Sequence, residues 1–265
     1  MVNLGIHRKR SGVPVLSRKD IDVLGEKLVA DFCPDALKEP QALDVDSFAQ
    51  NYLGMEQDYQ YLSHCGVYLG MTVFNDTNKV AVYNPAEQRA EYISARAGTI
   101  IIDNTLLEEN QEHRYRFTMG HEAAGHGVLH EPYFHYDRNQ MSMFDEPNVA
   151  MIQCRTDGSK IAQKEQRLWD DRDWMEWQAN AMASAFLMPK SMVLKVVEYT
   201  KSKFPSSTDT NILCYNYADA ITKVFNVSFQ AATYRLKQLG VIRKELQLNP
   251  AVMDFLDIFN TEGIC

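Results

Sequence analysis

No apolar run in this 265-residue sequence approaches the roughly 18 residues of a membrane-spanning helix, so no span is expected. Cysteine is scarce. The five residues at 33, 65, 154, 214 and 265 are odd in number, scattered, and contain no C-x-x-C pair. That argues against a disulfide framework and suits a reducing cytoplasm. Positive charge is in deficit: the formal net charge is −8, which argues against a general nucleic-acid binder. The basic patch His7-Arg8-Lys9-Arg10 is followed by no apolar segment, so it reads as a solvated tail rather than a secretory signal. Internal repeats and low-complexity tracts are missing too. What remains is an ordinary globular composition, 45% hydrophobic and 23% charged, in one large domain or two small ones. A chain of this length buries on the order of 70–75% of its unfolded surface.

Residues 1–16 read as a loose lead-in. Ile21, Leu24, Leu28 and Val29 recur at helical spacing after Ser17, and Pro34 ends that helix. A second helix covers roughly Asp44 to Leu53, with Val45, Phe48 and Leu53 inward and Gly54 as its stop. The pattern then turns to strands. Residues 67–74 and 80–83 flank the turn cluster Asn75-Asp-Thr-Asn78 and predict a hairpin. Thr99-Ile-Ile-Ile102 predicts a strand covered on both faces. His64 and Cys65, near the first strand, read as structural.

The stretch Arg116-Phe-Thr-Met-Gly-His-Glu-Ala-Ala-Gly-His-Gly-Val-Leu-His130 lies on a helix predicted from Glu112 to Leu129. Imidazoles and a carboxylate are zinc ligands, and His-Glu-x-x-His on a helix is a common zinc layout. Here His121 and His126 are five apart. At about 100° per residue, an unbroken α-helix would set them about 140° apart, against about 40° for the usual spacing. A π-bulge absorbs one extra residue and restores a shared face, and Gly125 makes it locally easier. Glu122 then stands beside the first histidine, placed to act as general base. The spelling His-Glu-x-x-Gly-His also resembles the zinc motif of the dipeptidyl peptidase III family. An alternative pair is His126 with His130, four apart, but it leaves no carboxylate in the base position. His130 reads better as a helix-end residue that supports the ligands.

Residues 131–168 read as irregular and polar, a candidate covering segment. Cys154 there is a possible soft fourth ligand, and Tyr133, His135 and Tyr136 could stabilise an oxyanion or simply pack. A further helix runs from Asp173 to Met188 and is ended by Pro189. Its face Glu176, Ala179, Asn180, Ala183, Leu187 is small and apolar except for Glu176 and Asn180. A buried glutamate there would require pairing or coordination, which makes Glu176 the third ligand. The other reading is a partly exposed acid near a helix N-terminus. Residues 200–210 read as a linker. Tyr217–Phe225 and Phe229–Leu239, joined across Asn226-Val-Ser228, resemble a helix-turn-helix. Five basic residues (Lys223, Arg235, Lys237, Arg243, Lys244) stand there against Asp219 and Glu245.

Arg116…His126 with Leu129-His130, followed by Glu176-Trp-Gln-Ala-Asn-Ala-Met-Ala-Ser-Ala-Phe-Leu-Met-Pro189, resembles the ImmA/IrrE family of bacterial zinc metallopeptidases. Gly98-Thr-Ile-Ile-Ile-Asp103 and Phe225-Asn-Val-Ser228…Tyr234-Arg-Leu-Lys-Gln-Leu-Gly240 extend the likeness over roughly residues 60–245. The resemblance implies zinc on His121, His126 and Glu176, with Glu122 as base; beside it, His130 and Asn180 stand as possible supporting residues around these ligands. It implies an α+β fold with a zincin-like core, a small and mostly antiparallel sheet against the metal-binding helices. The expected division is a tail over 1–16, a peptidase domain over 17–200, and a C-terminal helix-turn-helix-like region over 201–265. The implied activity is a cytoplasmic endopeptidase that cleaves a helix-turn-helix repressor and relieves repression of mobile-element or stress genes. A zinc-containing transcriptional regulator, or an interaction module without activity, is the competing reading, although direct DNA contact sits poorly with the acidic balance.

Overall fold

The computed structural model describes residues 5–134, 151–155, 166–206 and 208–248. It is an α+β structure. Helix α1 (Arg18–Phe32) starts at Ser17, whose side chain caps the backbone of Asp20 while Asp20 reaches back to Ser17. That reciprocal capping satisfies two amides that a helix start would otherwise leave without partners. Helix α2 (Val45–Ser47) continues as a π turn over Phe48–Tyr52. Its Phe48 is buried and lies 4.3 Å, centroid to centroid, from Phe186.

The main sheet has four strands: β1 (Glu56–Gln60), β2 (Tyr68–Val73), β5 (Thr99–Asp103) and β6 (Met151–Arg155), in the order β1-β5-β2-β6. β1 runs parallel to β5; the other two pairings are antiparallel. β3 (Thr77–Asn84) and β4 (Arg89–Ala95) form a separate antiparallel ribbon. The hairpin expected between residues 67–74 and 80–83 therefore does not form. Both edges of β2 are taken by β5 and β6, so β3 pairs with β4 instead.

Side-chain alternation explains this arrangement. Met71 and Val73 of β2 and Ile101 of β5 pack with Val80 and Val82 of the ribbon. Ile100 and Ile102 face the other way, into the helical core. All five residues of β5 are buried, as its apolar run implies for a strand covered on both faces.

On the helical side lie α3 (Glu112–Gly120), a π-helical segment over His121–Gly127, and a short α4 (Glu131–Phe134). Then come α5 (Asp171–Leu187), α6 (Lys190–Ser202), α7 (Thr210–Phe225) and α8 (Phe229–Gln238). The segment read as irregular between 131 and 168 thus contributes a helical turn and an edge strand. The stretch read as a linker at 200–210 is shortened, because α6 reaches Ser202 and α7 begins at Thr210. Asn226, in the left-handed region, closes α7, and Ser228 caps α8. Ile221, Phe225, Val227, Leu236 and Ile242 share one hydrophobic cluster with α1 and α5. No helix among the described residues is long and apolar enough to cross a membrane.

The N-terminal segment is not a solvated tail. Arg8 and Pro14 form an antiparallel bridge, and Val13 is buried with Phe134 and Met175. Arg8 donates to the carbonyl of Leu129 at 2.6 Å, and Lys9 pairs with Asp171 at 2.9 Å. The basic patch thus ties the end of the histidine-bearing segment to the start of α5.

Candidate metal centre

The seven residues from His121 to Gly127 are π-helical, as the five-residue histidine spacing requires. A π turn takes up the extra residue and brings both imidazoles to one side. Their Nε2 atoms lie 3.0 Å apart. Opposite them, across the packing of the π segment on α5, Glu176 places Oε2 3.6 Å from His121 Nε2 and Oε1 3.4 Å from His126 Nε2. These three donors converge, and they form a group that could hold a metal ion.

Two small residues make the approach of α5 possible. A Cβ added to Gly125 would stand 2.7 Å from both Cα and Cβ of Ala179, closer than such atoms pack. Gly125 is therefore where the π segment meets α5, three residues along from Glu176. Without that contact the carboxylate would sit farther from the imidazoles.

The donor set suits zinc in chemistry and in spacing. A tetrahedral ion with bonds of about 2.0–2.1 Å has ligand atoms about 3.3 Å apart. The three separations here are 3.0, 3.4 and 3.6 Å. Both imidazoles are fully buried, and burial pushes His121 down to about 4 and His126 down to about 3. At neutral pH both rings are therefore uncharged and each has one nitrogen lone pair to offer. His121 Nδ1 lies 3.0 Å from Asn180 Oδ1, so Nδ1–H donates there and Nε2 carries the lone pair. Glu176 keeps 21% of its side chain exposed, so the cluster reaches solvent on that side. The residue is thus neither sealed in nor a free surface acid.

Glu122 bonds to the sheet. Its buried carboxylate accepts a hydrogen bond from Thr72 Oγ1 on β2. Gly70, two residues back on the same face, leaves room for it: a Cβ there would stand 2.8 Å from Glu122 Oε1. Glu122 is thus held between the π segment and the sheet, beside the three converging donors but not one of them.

The remaining sequence candidates divide. His130 is fully buried, its own pKa pushed well down by burial, and its Nδ1 lies 2.9 Å from His126 Nδ1. The pair His126–His130 therefore touches through the nitrogens that face away from Glu176, and does not form a second ligand pair. The Tyr133 ring packs on Phe134, and its backbone lies against Gly12. His135 and Tyr136 lie outside the described residues, as does the side chain of Cys154. His64 packs edge-on against Tyr83. Arg235, one of the five basic residues near the helix pair, is buried and bonded to Asp22 and to the Met188 carbonyl.

Three contributors escape a reading of the motif alone: Thr72, Gly70 and Gln178. Gln178 carried a signal. It lies three residues after Met175 and four before Met182, on a buried helix face, and a polar side chain there must find partners.

Residues 152–237 match the family model Peptidase_M78, the IrrE N-terminal-like domain. That segment is similar to the domain that characterises the ImmA/IrrE family. The family is one of metallopeptidases, and the matched residues carry Glu176, Gln178 and Asn180. The π segment precedes the match, so the histidine half of the site rests on its own geometry. No curated protein matches the sequence.

Proposed function

We propose that this chain is a zinc-dependent endopeptidase of the ImmA/IrrE kind, with zinc held by His121, His126 and Glu176. The convergence of two neutral imidazole nitrogens and one carboxylate, from two separate segments of the fold, carries this reading. Zinc supplies Lewis acidity, which acidifies water and polarises a peptide carbonyl. The chain's own residues do the rest. Glu122, next to His121 and oriented by Thr72, takes a proton from the attacking water and returns it to the leaving amine. Asn180 keeps His121 in the tautomer that leaves Nε2 free.

An extended substrate segment needs a sheet edge. β2 has none to offer, and β6 pairs only with β2 among the described residues. We place the substrate along the outer edge of β6, one strand away from Glu122's partner Thr72. The substrate class implied by the resemblance is a helix-turn-helix repressor. The buried Arg235 argues against α7 and α8 as a DNA-reading pair, because the helix has lost that cation to an internal bond.

Incubating the purified chain with zinc and a helix-turn-helix repressor, with Glu122→Gln in parallel, tests the reading. Cleavage by the parent and none by the variant is expected. Equal cleavage by both removes Glu122 from the mechanism. If neither cleaves and neither binds zinc, the peptidase reading fails.

A further inference from the structure

Gln178 lies on the buried face of α5 at 1% exposure, and both ends of its amide are engaged. Its Nε2 donates to the carbonyl of Pro14 at 2.8 Å. Its Oε1 lies 3.0 Å from His130 Nε2. His130 Nδ1 in turn lies 2.9 Å from His126 Nδ1, and His126 Nε2 faces His121 and Glu176. A continuous line of hydrogen bonds thus runs from the N-terminal segment to the ligand cluster.

The direction of each bond follows from its fixed end. A backbone carbonyl only accepts, so the amide nitrogen of Gln178 must face Pro14 and its oxygen must face His130. An amide oxygen also only accepts, so His130 carries its proton on Nε2. The other nitrogen of that neutral ring, Nδ1, then has a lone pair. His126 must supply the proton between the two Nδ1 atoms. That leaves His126 Nε2 unprotonated, with its lone pair toward Glu176.

We propose that Gln178 is a positioning residue that sets the tautomer of His126 through His130, with the Pro14 carbonyl as the fixed reference. This rests on the reading of His126 as a zinc ligand. On His121 the same task takes a single step, through Asn180. On His126 it takes three, and the chain begins outside the motif. The N-terminal segment acquires a function by this route. Arg8 bonded to Leu129 and Gly12, Lys9 paired with Asp171, and Val13 buried beside Met175 together hold the Pro14 carbonyl over α5. Without Gln178 nothing in this line tells His130 which nitrogen to protonate. A share of His126 then carries its proton on Nε2, where it blocks coordination.

The test uses the full chain, zinc-free, with nitrogen-15 in its histidines, read by long-range proton–nitrogen correlation near neutral pH. One tautomer per ring is expected: His126 protonated on Nδ1 and His130 on Nε2. His130 protonated on Nδ1, or His126 unprotonated on Nδ1, overturns the proposal. Gln178→Met fills the same space without the amide. It should mix the tautomers of both rings and weaken zinc binding about 10–100-fold, measured by competition with a chromophoric chelator. Unchanged affinity and single tautomers in that variant overturn the proposal. If Gln178→Met does not fold, the parent spectrum still decides. The two readings fail separately. A parent that shows the expected tautomers but binds no zinc contradicts the ligand assignment. A parent that binds zinc with other tautomers contradicts only the relay.

Discussion

His121 and His126 stand five residues apart in sequence, yet their Nε2 atoms are 3.0 Å apart. The π segment makes these two facts compatible. Opposite them, Glu176 comes from a helix that begins far down the chain at Asp171, and Gly125 against Ala179 sets how close that helix comes. The site is therefore made by one backbone irregularity and one close helix contact, and each can be perturbed by itself.

His121→Ala, His126→Ala and Glu176→Ala should each lower zinc affinity by more than the ~10–100-fold typical of losing an outer partner. Metal content after dialysis against a weak chelator reads this directly. Glu176→Ala that retains a full equivalent of zinc would remove the carboxylate from the ligand set.

Glu122→Gln should retain zinc and lose about 10²–10⁴-fold in turnover, because an amide cannot accept the proton. Thr72→Val removes the hydroxyl that orients Glu122 with little change in volume. It should lower turnover by less than Glu122→Gln does, and destabilise the fold by about 1–3 kcal/mol for the lost partner of a buried carboxylate. Steady-state kinetics and urea unfolding separate the two effects.

Gly125→Ala puts a methyl group where Ala179 already stands. The expected result is a loss of about 1–3 kcal/mol from overpacking and, as α5 moves outward, weaker zinc binding. Deleting Ala124 tests the other element. It restores the ordinary four-residue spacing, and zinc binding should survive. Loss of zinc from the Ala124 deletion, with the fold intact, would mean that the π turn supplies more than a shared face.

Burial holds the folded-state pKa of His121 near 4 and of His126 near 3, and that of His130 well below the ordinary value. In an unfolded chain each would titrate near 6.5. Below that value the unfolded state binds the extra protons, so the stability of the zinc-free protein should fall as pH is lowered from about 6.5 towards 4. Urea midpoints measured across that interval check the sign. A midpoint that holds constant or rises on acidification would contradict neutral buried imidazoles.

Much of the helical architecture is legible in the sequence, because helices are specified locally. Apolar spacing and the caps Ser17 and Ser228 locate α1 and α8 closely. The strands are legible as strands, but their partners are not. β2 pairs with β6, which lies beyond the entire histidine-bearing segment, and nothing local in residues 68–73 points that far. The hairpin expectation failed there: a good turn at 75–78 invited β3 to pair with β2, whereas burial on both faces and at both edges decided otherwise. In the site, the histidine spacing implies the π turn by geometry alone. Glu176 is legible only as one of two possibilities, since its meaning depends on where α5 packs. Arg8 and Pro14 are hidden because their roles are made by backbone carbonyls and by contacts with residues far along the chain.

X-ray absorption at the zinc edge of the purified, zinc-loaded chain reads the ligands of the ion themselves. One zinc per chain is expected, with only nitrogen and oxygen neighbours at about 2.0–2.1 Å, two of them imidazoles. Glu176→Ala should lose that signal. A sulfur neighbour at about 2.3 Å would bring in a cysteine such as Cys154 and close the site as a structural one, contradicting the peptidase reading. A spectrum with no imidazole contribution would contradict the assignment of His121 and His126.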